Sequence, residues 1–322
     1  MTIKHYRAVF LSPHLDDAVF SCGGSIAKLA GEGPILVLNV FSSYPAEVRR
    51  GPVVISRERV DEDAKAAALL GFTTENLDEV DAALRHPAYR SPANLFRPPV
   101  PEDIDRLAAT SARIGDFLSS IHYDAIYLPL GVGWHVDHVL SHLATKHLHG
   151  LPSTYFCEDA PYCLIPNATQ YRLRELGKIA DEHADGPLSP RSFAQEWYET
   201  SADCATLAPI KTMAWPVRGV AALVVALYVR TLLAKHRRMR REREAEYTLK
   251  PLVQSITGHF GAKIEACYRY ESQIGQFSVS RTDCVARYRR YSRSMVGGPA
   301  DAPADMYERF WQLEGASVGN GN

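Results

Sequence analysis

The chain of 322 residues lacks a dominant charge: 36 Lys and Arg stand against 37 Asp and Glu, for a net charge of −1. That balance excludes the broad basic field with which proteins hold a phosphate backbone, so no nucleic-acid partner is expected. Long apolar runs are missing as well. Gly219–Val229 holds about 11 uninterrupted apolar residues, whereas a membrane-spanning helix needs ~20. Met1–Leu11 has too few apolar residues for a secretory signal, so a cytoplasmic location is expected. Cysteine is sparse, and Cys22, Cys157, Cys163, Cys204, Cys267 and Cys284 include no zinc-finger pair. They read as reduced, buried thiols; Cys157 and Cys163 as metal ligands is the weaker reading. No internal repeat or long low-complexity tract is present.

What the chain does have is an alternation of strand and helix signals. Ala8–Leu11, Ile35–Phe41, Ala125–Leu130 and Ser153–Cys157 are short apolar runs typical of buried parallel strands. Between them Ala18–Leu29, Arg57–Leu70, Ile104–Ile121 and Val139–His149 carry helical spacing, and Gly71 marks a helix stop. Asn76–Val80 is a candidate short strand. The Pro-rich His86–Pro101 reads as a loop and a candidate substrate-binding or lid segment. The expected fold is α/β, a Rossmann-like doubly wound, mostly parallel sheet with a helical C-terminal extension. The expected organisation is a catalytic core over residues 1–165, a mostly helical extension over 166–314, and a disordered tail over 315–322. Met306–Leu313, with Tyr307, Phe310 and Trp311, is expected to dock as a helix.

Two islands carry the chemistry. Ser12-Pro13-His14-Leu15-Asp16-Asp17 follows the first strand, and His135-Val136-Asp137-His138 follows a later one after Gly131 and Gly133. Open α/β sheets place their ligands at such strand ends. A catalytic Zn²⁺ site takes three ligands from His and Asp/Glu and leaves one position open. The plainer alternative makes Asp16-Asp17 a helix N-cap and leaves His135 and His138 on a surface. Either island alone is weak; both, in order and after strands, favour a metal.

The His-x-Asp-Asp and His-x-Asp-His motifs resemble the PIG-L/LmbE family of zinc-dependent N-deacetylases, most closely the bacterial branch acting on sugars in thiols and natural products. Leu15 stands where Pro is usual there, and Ala18 where Glu is usual. The resemblance implies one Zn²⁺ held by His14, Asp17 and His138, and Asp16 as the general base. It implies His135 as the group that stabilises the oxyanion or protonates the leaving amine, and Asp137 as a carboxylate orienting an imidazole. It further implies removal of acetyl from an N-acetylglucosamine-type sugar, with Arg59 and Asp81 contacting that substrate. Arg59 as a surface residue paired with Glu62 or Asp63, and Asp81 as an ordinary loop residue, are equally good readings. Tyr155–Tyr162 and Lys263–Gln273 also resemble family segments, near the pocket wall and packed over the rim.

Two alternatives keep the metal: an amidohydrolase acting on a longer acyl chain or a non-sugar amide, and a non-catalytic zinc-containing membrane-docking or scaffold protein. Asp16 favours catalysis, because structural zinc has no use for a free carboxylate beside an open position. Residues 216–243 are apolar and then basic, with Lys235–Arg241 closing the segment. They are read as a buried or oligomer-forming helix or as a peripheral membrane contact. Arg281–Arg293 reads as a solvated basic helix face, with phosphate binding as the weaker reading.

Overall fold

A computed structural model of the chain describes residues 3–50, 53–151, 153–179, 215–243, 247–275, 278–296 and 305–314. Short apolar runs covered on both faces form most of the central strands, and a polar edge strand completes the parallel set. These are β1 (Ala8–Ser12), β2 (Ile35–Asn39), β3 (Phe72–Asn76), β4 (Ile126–Pro129) and β5 (Thr154–Cys157). They pair in parallel in the order β3-β2-β1-β4-β5. Every residue of β1 and β2 is buried, and Phe10 stacks on Tyr127 across β1 and β4 with ring centroids 4.3 Å apart. Because β1 lies between β2 and β4, the chain leaves β1 and β4 toward opposite sides. Their C-terminal ends open the crevice in which such sheets bind ligands.

The strand expected over Asn76–Val80 lies earlier, at Phe72–Asn76, and Val80 makes only an isolated bridge to Ser43. Thr73, Thr74 and Glu75 are polar because β3 is the sheet edge, so the apolar signal is absent where the strand is. The sheet also continues past residue 165. Gly177–Ile179 (β6), Tyr247–Ser255 (β7) and Tyr307–Leu313 (β8) extend it from β5 in the order β5-β8-β7-β6. Met306–Leu313 is thus a strand and not a docking helix. Tyr307, Phe310 and Trp311 have helical spacing, but an extended backbone satisfies the polar residues on both faces. Glu308 accepts from the Gly24 and Ser25 amides and from Lys263, while Arg309 and Trp311 both donate to Glu158.

The helices that position the site are α1 (Asp17–Ala30), α2 (Glu58–Leu70), α3 (Ala82–Arg85), α4 (Pro101–Ser119) and α5 (Val136–Ala144). Further along lie α6 (Ala168–Leu176), α7 (Trp215–Arg243) and α8 (Phe260–Cys267). Helix α8 packs on α1 and α2. Lys263 donates to Glu308, and the Tyr270 hydroxyl reaches Leu15 O and Asp63. The Lys263–Gln273 segment therefore buttresses the first island from behind. Cys22, Cys157, Cys163, Cys267 and Cys284 are buried thiols; Cys204 and the tail 315–322 lie outside the described residues.

Candidate active site

Helix α1 begins immediately after β1, so His14, Asp16 and Asp17 are presented where strand turns into helix, and all three are buried. On the β4 side the chain turns through Gly131, Gly133 and Trp134, all at positive φ, before α5 starts. Gly133 is needed there twice over. Its φ is +83°, and a Cβ on it would sit 2.2 Å from Cγ of Tyr162. This turn brings His135, Asp137 and His138 to the first island.

The donor atoms converge. Asp17 Oδ2 lies 2.9 Å from His14 Nδ1 and 3.1 Å from His138 Nε2. His14, His135 and His138 each bring a ring nitrogen within 4.8 Å of the others, and His14, Asp81 and Asp137 form a second such group. The other nitrogen of each central imidazole is held by a carboxylate. His138 Nδ1 is 2.7 Å from Asp159 Oδ1, whose Oδ2 accepts from the Val132 amide. His14 Nε2 is 3.0 Å from Asp137 Oδ2. Asp137 is fixed in turn by the Arg85 guanidinium at 2.7 Å and the Ala82 amide at 2.9 Å. Asp137 thus orients His14 across the crevice, not either of its neighbours in sequence. Such carboxylate–imidazole pairs set which nitrogen faces a metal and make it more basic.

Charge supports a cation. Asp16, Asp17, Asp81, Asp137 and Asp159 are buried here against the guanidiniums of Arg59 and Arg85, and Arg85 is shared with Asp103. Buried charge requires compensation, and a divalent cation at the His14–Asp17–His138 apex would provide it. The donor set fits such an ion. Burial pulls both imidazoles down, but the carboxylates outweigh it: Asp17, Asp137 and Asp81 hold His14 well above its usual range, and Asp17 and Asp159 push His138 up to about 9.

The two adjacent carboxylates are driven apart. Burial raises Asp16, with Arg59 opposing and Asp17 reinforcing, whereas His138 and His14 overcome burial to hold Asp17 well below the usual carboxylate range. Divergent pKa values in neighbouring groups assign different chemical roles. Burial, then His14 and His138, keep His135 neutral. Its Nδ1 accepts from the Asp137 amide at 3.3 Å as the cap of α5, which places the ring proton on Nε2. His135 is therefore a neutral hydrogen-bond donor.

Arg59 is only 4% exposed. It donates to Asp16 and lies 3.6 Å from Asp81 Oδ2 and 5.3 Å over the Tyr44 ring. The surface pairing with Glu62 or Asp63 does not occur; Glu62 instead binds Ser272, and Asp63 binds Tyr270. Asp81 caps α3 through Oδ1 and turns Oδ2 toward His14 at 3.6 Å, so it is a site residue and not a free loop aspartate.

Residues 9–149 match the PIG-L family, described as GlcNAc-PI de-N-acetylase. The matched segment contains both site islands. A 2'-N-acetylparomamine deacetylase from Streptomyces fradiae is 31% identical to this chain over 168 residues, covering 50% of the chain and 59% of that protein. One of the same name from Niallia circulans is 29% identical over 184 residues, covering 47% and 66%. The chain thus matches less than two thirds of either relative's length. A deacetylase of the teicoplanin biosynthesis pathway, solved with bog bound, superposes over 96% of this chain and 98% of its own at a TM-score of 0.59 and 17% identity. That likeness establishes a shared fold.

Sequence reading put Tyr155–Tyr162 near the pocket wall without giving Asp159 or Tyr162 a part in the site, and it overlooked Arg85. Tyr162 faces His138 edge-on at 5.5 Å and stacks obliquely over His135 at 6.4 Å; Phe96 meets His135 edge-on at 6.1 Å. Glu158-Asp159 before Pro161 was a visible signal, but its turn-like composition hid the carboxylate's part. Arg85 carried no signal.

Proposed function

We propose that this protein is a zinc-dependent N-deacetylase that hydrolyses the acetamide of an N-acetylated amino sugar. The carrying observation is the division of labour between Asp16 and Asp17 beside a neutral His135. His14 Nδ1, Asp17 Oδ2 and His138 Nε2 would hold the ion, and a His/Asp set of this kind suits zinc. When bound, the ion supplies a water of lowered pKa and a polarised amide carbonyl.

The remaining work falls to the chain's own groups. Asp16, raised by burial, accepts the proton of the attacking water. The Arg59 guanidinium on its Oδ1 fixes the carboxylate's direction. His135 Nε2–H donates to the oxyanion as it develops, and the proton held by Asp16 passes to the departing nitrogen. Water and amide become acetate and a free amine. The buried Arg59–Asp81 pair is assigned to contacts with sugar hydroxyls. That both relatives are 2'-N-acetylparomamine deacetylases supports an aminoglycoside-type sugar.

The test is amine and acetate release from 2'-N-acetylparomamine, N-acetylglucosaminides and longer N-acyl analogues by the zinc-loaded protein. Asp16→Asn is expected to lower kcat by about 10²–10⁴-fold while retaining zinc. Equal turnover by Asp16→Asn would refute the assignment. Preference for a longer acyl chain would move the proposal to that amide.

A further inference from the structure

Helix α7 has two opposite faces with opposite fates. At 100° per residue, Val229, Leu232, Leu233 and His236 share one side and are buried. On that side Tyr228 donates to Ala93 O, and His236 Nε2 lies 2.8 Å from Phe96 O. This face is seated on the 87–96 segment, whose Phe96 ring touches His135. The other side carries Val217, Val220, Leu223, Val224 and Leu227, which are 48–63% exposed. They recur at helical spacing over about three turns. Exposed Arg230 and Arg237 border one edge of this stripe, and exposed Lys235 the other.

Charge segregates with it. The sequence of α7 holds eight Lys and Arg and one Glu, against 28 and 36 in the remainder of the chain. A near-neutral protein therefore concentrates net +7 in one helix that also shows its aliphatic side chains to solvent. An apolar stripe flanked by cations fits a bilayer interface with anionic headgroups. A second copy of the chain would bring two such cationic helices together. The uninterrupted apolar run of α7 stops at Val229, but by length and mean composition Gly219–Met239 passes for a membrane-crossing helix, with 24% of it buried. The seated residues Val229–His236 nevertheless hold the helix against the sheet domain, so it lies along a surface.

We propose that α7 docks the protein on an anionic lipid bilayer. Val217, Val220, Leu223, Val224 and Leu227 enter the acyl boundary, and Arg230, Lys235 and Arg237 meet the headgroups. The opposite face of the docked helix holds the segment whose Phe96 ring meets His135, so docking and the site share one wall.

The test is flotation of the full chain with vesicles of phosphatidylcholine alone or mixed equally with phosphatidylglycerol. Binding is expected only to the anionic vesicles and is released by high salt. Arg230→Gln with Lys235→Gln and Arg237→Gln should weaken it by ~100-fold, at about fivefold per cation. Leu223→Glu with Leu227→Glu should abolish it without changing the melting temperature, since both side chains are exposed. Equal binding to both vesicle types, binding to neither, or unchanged binding by the Leu variant would overturn the proposal. So would a concentration-dependent dimer that the Leu variant dissociates, which would assign the face to a second copy. Flotation is scored without substrate, and turnover without vesicles, so the two readings fail separately.

Discussion

Asp159→Asn is the substitution that best separates the site's geometry from its ligands. Asp159 is not itself a proposed ligand, yet both of its oxygens are used. Oδ1 takes the His138 Nδ1 proton at 2.7 Å, and Oδ2 takes the Val132 amide proton at 2.8 Å. Asparagine offers one oxygen and one NH₂, so one N–H must face another donor in a buried place. A buried donor left without an acceptor costs about 1–3 kcal/mol. If the amide keeps Val132, His138 loses its anchor, its Nε2 becomes less basic, and its ring is free to rotate away from Asp17. Loss of such a carboxylate typically weakens metal binding by about 10–100-fold. Competition of the stripped protein against a chromophoric chelator gives the zinc Kd directly, and that range is the expected result. Asp81→Asn serves as the control, because Asp81 faces the same crevice but holds no imidazole within hydrogen-bond distance. An unchanged Kd for Asp159→Asn, or an equal loss in both variants, would refute the view that Asp159 acts through His138.

Gly133→Ala should be among the most damaging small changes in the chain. The new methyl meets three Tyr162 atoms at 2.2–2.6 Å and must adopt a positive φ, for a loss of about 2–5 kcal/mol in denaturant unfolding; a loss under 1 kcal/mol would mean that the Tyr162 ring is not seated there. Asp63 gives a pH test on a group that is not a proposed ligand. Burial raises its pKa to about 7 despite bonds from Tyr270 and Asn39, so the folded state keeps a proton that the unfolded chain releases near pH 3.8. Its contribution to stability is complete below that value and is lost as pH rises toward 7, by up to about 4 kcal/mol. Asp63→Asn should therefore gain stability over the parent at about pH 8 relative to about pH 5, measured by urea denaturation; parallel pH profiles would contradict it.

The core of the fold was legible because its strands are buried on both sides. β1, β2, β4 and β5 announce themselves as apolar runs, and the two site islands stand directly at the ends of β1 and β4. Legibility fails where a strand's environment is mixed. β3 is polar because it is an edge, and β8 has aromatic spacing that a helix could share. What makes β8 a strand is remote in sequence: Glu308 completes the amides of Gly24 and Ser25, and Glu158 collects Arg309 and Trp311. Period counting cannot register partners more than 150 residues away.

The site divides along the same line. Residue type, spacing and resemblance single out His14, Asp17 and His138 as candidate ligands, and the structure brings their donor atoms together. Ring orientation does not, because it is decided by the second nitrogen of each imidazole. Asp137 lies one residue from His138 in sequence but binds His14, since α5 turns it toward β1 while Arg85 and the Ala82 amide hold it there. His138 is left to Asp159, delivered by β5. Each imidazole is thus oriented by a carboxylate from a different element: His14, after β1, by Asp137 at the start of α5, and His138, in α5, by Asp159 after β5. Loosening any one of these elements therefore disturbs a candidate ligand carried by another. Zinc binding should accordingly tie the three strand ends together and raise the melting temperature of the whole sheet domain as one unit.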